Sequence, residues 1–447
     1  MRFILNCAVA LSLVLPLGAA AQDQVTVFTN VTVIPMDRER TLPNHTVVVR
    51  GQRIVEVGPS NQVRPPAGAQ MVDGRGKWLM PGLAEMHAHI PPGQAPAAQI
   101  EKVLAYYALN GVTTVRGMLG DPRHLPYREK ANRGEILSPT IYTTGPSLNG
   151  NSIPTVEAAI KAVTEQKAAG YDLMKIHPGI TRTVYDSMAA TAKRLGIRFA
   201  GHVPLDVGIR RALQHGQWTI DHVDGYIEGL APEGAQSQFF AFNLVDQADE
   251  TKIPELVAAT KAAGAWIVPT QSLFESMMGG KSADELAAMP EMKFWPEATI
   301  NQWKQATANT RQQLGVTPER SKQYLELRGR IMQALYQGGV PFLLGSDAPQ
   351  WWNVPGFSIL REMEAMVKAG FTPFQIYQSG SINVARYFGV ENEVGTVAAG
   401  RRADLVLLDA NPLANVSHWG QRAGVMVRGR WYDAAEIQRR LGELSKG

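Results

Sequence analysis

The chain of 447 residues contains a single cysteine, Cys7, and it falls in an apolar leader. A chain trimmed of that leader has no thiol, so disulfides and cysteine metal ligands are excluded. Any metal must be held by His, Asp, Glu or a modified Lys. Charge is sparse as well, with 19% Asp, Glu, Lys and Arg and a formal net charge of +4. No block of Lys and Arg interleaved with aromatics occurs, which argues against a nucleic-acid partner. Nor is there an acidic or low-complexity tail of the kind that stays disordered.

Long hydrophobic runs are confined to one place. Arg2 precedes an apolar stretch from Phe3 to Leu17, and Ala19-Ala20-Ala21 supplies small residues before Gln22. This is the pattern of a cleavable export signal over residues 1–21. A membrane anchor is the alternative, but the run is short of the roughly 20 residues that cross a bilayer, and Pro16 and Gly18 interrupt it. The expectation is an exported chain, periplasmic or extracellular, that leaves the membrane after signal cleavage.

The remainder has the 45% hydrophobic content of a globular enzyme-sized protein. Near its start, Val25 to Phe28, Val31 to Ile34, Thr46 to Val49 and Ile54 to Val57 read as short strands, the last two joined by a turn at Gly51. The same idiom returns in Asp404 to Leu408 and Val425 to Trp431. These segments predict a small β-sandwich domain built from both chain ends, residues 22–78 and 391–447, with 79–390 inserted between them. Two unrelated hairpins are the simpler alternative.

Within 79–390, apolar strands alternate with helical stretches, the pattern of parallel βα units. Candidate strands are Leu83 to Ala88, Thr113 to Arg116, Ile141 to Thr144, Leu173 to Ile176, Arg198 to His202, Thr219 to His222, Trp266 to Pro269 and Val340 to Ser346. An α/β fold with a (β/α)8 TIM barrel is the expectation, with a doubly wound open sheet as the alternative. The long interval before the last strand carries Phe274, Met277, Met278, Phe294 and Trp295, which form either a lid or the packing of extra helices.

The stretch Leu79 to Ile90 carries the first chemical signal. Residues i and i+2 of a strand share a face, so His87 and His89 aim two imidazoles at one point, an arrangement that suits a divalent metal. A lone His-x-His is more often a polar strand edge, so further ligands are needed. In a barrel the C-terminal ends of the strands converge on one mouth. Those positions read His87 and His89, Lys175, His202, His222 and, just after the last strand, Asp347. All are metal-ligand or acid–base types. His177 shares a face with Lys175 and is a candidate substrate contact. Arg116 is a candidate partner for a substrate carboxylate, Tyr142 and Tyr226 are candidate oxyanion donors, and Trp351-Trp352 is a candidate aromatic wall. His45, His124, His215 and His418 fall outside the mouth.

Together, Pro81-Gly82-Leu83 before His87-x-His89, the Gly111 to Arg116 strand, Ile220-Asp221-His222, Gly345-Ser346-Asp347-Ala348 and the closing run Val394 to Val406 resemble the metal-dependent amidohydrolase superfamily, especially its imidazolonepropionase-related and Xaa-Pro dipeptidase-like branch. The resemblance covers essentially all of the chain after the leader. It implies two divalent metal ions, with zinc as the expected identity. His87, His89 and Asp347 would hold one and His202 and His222 the other. Carbon dioxide captured as a carbamate on Lys175 would bridge the two ions, together with a hydroxide. Only a lysine driven neutral by burial and nearby positive charge reacts in this way. Glu85 stands where the family more often has Asp, and the residues around His202 and His222 also depart from the commonest forms.

The implied activity is hydrolysis of a C–N amide bond in a dipeptide, Xaa-Pro-like, or in a small N-acyl compound, with a metal-activated hydroxide as nucleophile and Asp347 as the catalytic proton shuttle. A cyclic amide, lactone or organophosphate hydrolase is the alternative within enzymes, and a metal-bearing binding protein without turnover the alternative outside them. The expected partner is a small-molecule substrate. Oligomeric state, a homo-oligomer included, stays open.

Overall fold

The computed structural model describes residues 24–446; the expected export signal, 1–21, lies outside the described residues. Among the described residues no helix is long and apolar enough to cross a membrane.

Strands from both ends of the chain share one sheet. β1 (Val25–Val33), β2 (Leu42–Arg50), β3 (Arg53–Pro59), β4 (Gln70–Asp73) and β5 (Trp78–Pro81) come from the beginning, and β13 (Leu405–Leu408), β14 (Arg422–Val427) and β15 (Arg430–Asp433) from the end. Their order is β15-β14-β13-β5-β1-β2-β3, with β4 also on β1. The strands expected as a β-sandwich domain form one continuous hydrogen-bonded sheet. β1 changes neighbour along its length: Thr26 to Thr29 pair with β4, and Thr32 and Val33 pair with β5. Between the two pairings Asn30 takes a left-handed φ of 54°, and β1 shifts register against β2. The sheet curls enough for Phe28 of β1 to meet Trp431 of β15 edge to face at 5.0 Å, although three strands separate them in the sheet. Phe28, Val47, Leu79, Leu405 and Met426 fill the resulting core.

The middle of the chain supplies β6 (Leu83–Ala88), β7 (Val112–Gly117) and β8 (Thr140–Thr143), a parallel set, then β9 (Leu173–Ile176), β10 (Arg198–Gly201), β11 (Thr219–Asp221) and β12 (Trp266–Val268), a second parallel set. Isolated parallel bridges join the sets beyond these strands. Thr144 pairs with Leu173 and Leu148 with Ile176 at one edge, while Ile267 pairs with Phe342 and Ala88 with Ala348 at the other.

The expected strand Val340 to Ser346 is not a regular strand. It lies between β12 and β6, where Leu343 N donates to Ile267 O and Met86 N to Leu344 O, but the ladder then breaks. The cause is Glu85. Its carboxylate accepts from Ser346 N at 2.7 Å, from Ser346 Oγ at 2.6 Å and from His87 N at 3.3 Å, so a side chain takes the donors that backbone pairing would use. Gly345 sits tightly in this seam; a Cβ there would lie 2.8 Å from His87 N.

The long stretch before this segment forms helices at Gln271–Met278, Ala283–Ala287, Glu297–Gln313 and Pro318–Gln337. Thr317 caps the last of these and Pro318 occupies its first turn. Phe274, Met277 and Met278 are buried, Phe294 stacks on Phe357 at 4.7 Å and Trp295 on Trp303 at 6.3 Å. Of the two expectations for these residues, the packing of extra helices describes what they do.

Candidate metal centre

Four strands in the middle of the chain, β6, β9, β10 and β11, end on or beside a residue with chemistry. His87 and Lys175 lie in β6 and β9, His202 and His222 follow β10 and β11 directly, and Asp347 lies in the segment beside β6. The structure brings all of them together. His87 Nε2 lies 2.9 Å from Lys175 Nζ and 3.6 Å from Asp347 Oδ1. The His87 and His222 ring centroids are 4.5 Å apart, and those of His202 and His222 are 4.4 Å apart. His89 Nε2 lies 2.6 Å from Asp347 Oδ1.

Backbone strain accompanies this convergence. His222, Val223, Thr270 and Asp347 all take left-handed φ, at 64°, 55°, 47° and 67°. For β-branched Val223 and Thr270 this is an unusual conformation, of the kind that clusters at functional sites. The turns point side chains inward. His222 Nδ1 contacts Thr270 Oγ1 at 2.8 Å and lies 3.7 Å from Asp347 Oδ2, which leaves the buried Nε2 without a hydrogen-bond partner.

The donor set fits a divalent cation. One ligand atom from each of His87, His89 and Asp347 lies within 4.8 Å of the others. His89 Nε2 and Asp347 Oδ1, though close, are not aligned for a hydrogen bond with each other, and His222 Nε2 is buried without a hydrogen-bond partner. Buried polar atoms that converge without bonding one another are what a coordinated ion satisfies. Protonation states agree with this. Burial first, then the neighbouring Lys175, holds His87 well below the ordinary imidazole range, and burial with His202 does the same to His222. Burial and Lys175 bring His202 down to about 3. Neutral imidazoles are the ligating form. Burial pushes Lys175 down to about 8, against the opposing pull of Asp221 and Asp347.

Of the four candidate substrate contacts, one stands by the cluster. His177 has its ring centroid 5.0 Å from that of His202 and its Nδ1 2.6 Å from Ser147 Oγ. Burial, with Lys175 and His202 beside it, takes it down to about 2.

Arg116 is not placed to meet a substrate. It is fully buried, its Nε donates to Met86 O, its Nη1 to Thr219 Oγ1 and Tyr387 Oη, and its Nη2 to Asp221 at 3.1 Å. Tyr142 stacks on Phe388 at 3.5 Å with a 7° angle between the rings, beside Arg402 and Glu393 and away from the cluster. Tyr226 is buried behind the strands, where its hydroxyl bonds Thr260 Oγ1 at 2.7 Å among Leu230, Leu256 and Leu335. Trp352 is buried too, donating from Nε1 to Thr307 Oγ1 at 2.9 Å, so it anchors a helix and forms no wall.

Several neighbours of the cluster lack an isolated sequence signal. Asp221 Oδ2 lies 2.9 Å from His87 Nδ1, and Asp224 Oδ2 lies 2.6 Å from His202 Nδ1. Both acids flank His222 in the sequence, and that adjacency is the clue that was available. Burial raises Asp224 to about 8 against the lowering pull of Arg328. Phe240 lies 6.0 Å from the His202 ring and 5.9 Å from the His222 ring, presented by a loop whose residues 239–241 all have positive φ.

Comparison with known proteins agrees with this geometry. A model described as the amidohydrolase family matches residues 78–432. An adenine deaminase from Bradyrhizobium sp. (strain ORS 278) is 26% identical over 88% of this chain and 55% of its own length. An imidazolonepropionase from Rubrobacter xylanophilus is 26% identical over 82% of this chain and 84% of its own. The solved structure of a Xaa-Pro dipeptidase with bound methionine has a TM-score of 0.67 at 19% identity, covering 92% of this chain and 100% of that one. The chain spans about half the length of the adenine deaminases it matches. With a family model spanning most of its length and a His-His-Asp cluster fit for a metal, the chain belongs to the amidohydrolase family.

Proposed function

We propose that the protein is a metal-dependent hydrolase that cleaves a C–N amide bond in a dipeptide, Xaa-Pro-like, or in a small N-acyl compound. The observation that carries this reading is the approach of His89 Nε2 to Asp347 Oδ1, 2.6 Å apart and aimed past each other, with His87 and Lys175 alongside. The fold completing the site is read as a closed (β/α)8 barrel over 79–390; the bridges at both edges of the parallel sets support it. Residues 22–78 and 391–447 are read as the accompanying sheet domain. The export-signal pattern of the leader supports a setting in the periplasm or outside the cell.

His87, His89 and Asp347 would hold one divalent ion, and His202 and His222 the second, with zinc favoured by imidazole ligands. Lys175, fully buried and shifted toward its neutral form, is suited to carry a bridging carbamate. Ions bound there supply Lewis-acid chemistry, activating water and polarising the substrate carbonyl. The protein's own part is to hold and move protons. Asp347 takes a proton at its carboxylate and returns it to the leaving nitrogen, which departs poorly as an anion. Asp221 and Asp224 keep His87 and His202 oriented, and Phe240 covers the two rings of His202 and His222.

The whole-length likeness to the dipeptidase structure supports a dipeptide-sized substrate. A cyclic amide is the second reading, favoured by the imidazolonepropionase that matches most of both chains. The test is a panel of Xaa-Pro dipeptides, N-acyl amino acids and cyclic amides, run with metal-loaded wild type and Asp347→Asn. The proposal expects turnover on at least one class, lost in Asp347→Asn while ligand affinity persists. Unchanged turnover in the variant, or binding with no hydrolysis anywhere in the panel, would overturn it.

A further inference from the structure

The helix Pro318–Gln337 comes from the stretch inserted between β12 and the segment beside β6, yet one of its side chains reaches the metal centre. Arg328 is 2% exposed, and carbonyl oxygens surround its guanidinium. Nη1 donates to His222 O at 2.9 Å, Nη2 to Pro269 O at 3.2 Å and Nε to Gln271 Oε1 at 2.9 Å. The guanidinium lies over the Phe274 ring at 3.5 Å, from the neighbouring helix Gln271–Met278.

Those acceptors are not arbitrary. His222 has a φ of 64°, and Pro269 O belongs to the peptide that enters Thr270, whose φ is 47°. Turns of this kind persist only where surrounding structure over-determines them, each at a cost of about 1–3 kcal/mol. Both turns bear on one ring: His222 is the first, and Thr270 of the second holds His222 Nδ1 at 2.8 Å. A rotation of the Pro269–Thr270 peptide would carry the hydroxyl off the imidazole. Phe274 and Gln271, which seat the guanidinium, fix where the fork sits.

We propose that Arg328 is a positioning residue, whose planar fork locks the two left-handed turns after β11 and β12 and thereby aims His222 Nε2 at the metal. The docking of the inserted helix is in this way coupled to metal capture. The inference rests on the metal-centre reading above. It concerns the ion His222 holds; the His87–His89–Asp347 group has no contact with the fork other than through His222.

The experiment uses the full chain, stripped of metal and titrated with Zn2+ or Co2+ against a chelating dye, with the visible absorption of the cobalt form and the melting temperature of the metal-free form recorded in parallel. Arg328→Met is expected to weaken the ion held by His222 by roughly 10–100-fold, the range for losing a group that orients a ligand. The cobalt absorption assigned to that site should change with it. Arg328→Lys keeps the charge and stem but cannot span two carbonyls, so it should show the same loss in weaker form with a metal-free melting temperature close to wild type. If Arg328→Met fails to fold, Arg328→Lys decides: wild-type affinity and spectrum in that variant overturn the inference. Wild-type affinity in a folded Arg328→Met does so as well. A wild-type chain that takes up no ion overturns the hydrolase reading itself, which is a separate failure.

Discussion

Asp221 Oδ2 stands 2.9 Å from His87 Nδ1, and the other side of the same carboxylate is taken by Arg116 at 3.1 Å, all three side chains being buried. The lowering influence of Arg116 and Lys175 outweighs the burial that would otherwise raise Asp221, so the acid stays charged against the imidazole. A carboxylate beside Nδ1 favours the imidazole orientation in which Nε2 is the ligating atom. Arg116→Met would strand the carboxylate without its cation, and removing one partner of a buried pair costs about 3–5 kcal/mol. Denaturant unfolding of the metal-free chain should show that loss. A residue that merely bound a substrate carboxylate would leave stability untouched and raise KM.

Gly201 closes β10 with a φ of 122°, and a Cβ added there would lie 2.6 Å from Ile176 O and 2.8 Å from Lys175 Cδ. The glycine makes room for the stem of the lysine in the neighbouring strand. Gly201→Ala therefore has two faults, a strained backbone and a displaced Lys175. Metal titration of the purified variant should show fewer ions retained per chain than wild type. Retention equal to wild type would mean that the lysine stem has slack the structure does not show.

The convergence of the candidate metal centre was legible because the period of a strand and the geometry of parallel βα units put His87, His89, Lys175, His202, His222 and Asp347 at comparable strand ends. What was not legible is which neighbours turn toward that point. Arg116 also lies near a strand end, but β7 runs one residue further, to Gly117, and the guanidinium points into the layer between strands, where Asp221 waits. Nothing local to Arg116 says that its partner lies 105 residues on. The last strand failed as an expectation for a similar reason. Its residues are apolar enough, but Glu85, in the neighbouring β6 and 261 residues away in the chain, intercepts Ser346 N. The curled sheet posed a third limit: alternation marks strands and faces, whereas the bend at Asn30 depends on which neighbours β1 finds.

Glu362 offers a pH test at a group that is not itself a candidate metal ligand. Its buried carboxylate accepts from Gln271 N at 2.8 Å and Ser272 N at 2.7 Å, capping the helix Gln271–Met278 that carries Phe274. Burial raises it to about 7, the two backbone donors opposing the rise. In the unfolded chain the same group releases its proton in the ordinary carboxylate range, near pH 4.3. Between that pH and about 7 the folded state holds a proton the unfolded state has lost, so stability falls as pH rises through this window and levels off above it. Glu362→Gln should flatten that segment of the stability–pH curve. An unaltered slope would mean that other groups produce it.

Tyr226 and Tyr142 separate a role in the site from a role in the scaffold. The Tyr226 hydroxyl bonds Thr260 Oγ1, which itself donates to Leu256 O, so the contact joins the helix Tyr226–Leu230 to the helix Ile253–Ala263. Tyr226→Phe removes one buried hydrogen bond, worth about 1 kcal/mol, and should lower the melting temperature slightly with kcat and KM both unchanged. Tyr142 holds its place by stacking on Phe388, which phenylalanine does equally well, so Tyr142→Phe should leave stability and kinetics as they are. An oxyanion donor behaves otherwise: its loss lowers kcat by about 100-fold or more with little change in stability. A fall of that size in either variant would return the residue to the site and imply a rearrangement of the fold around bound substrate.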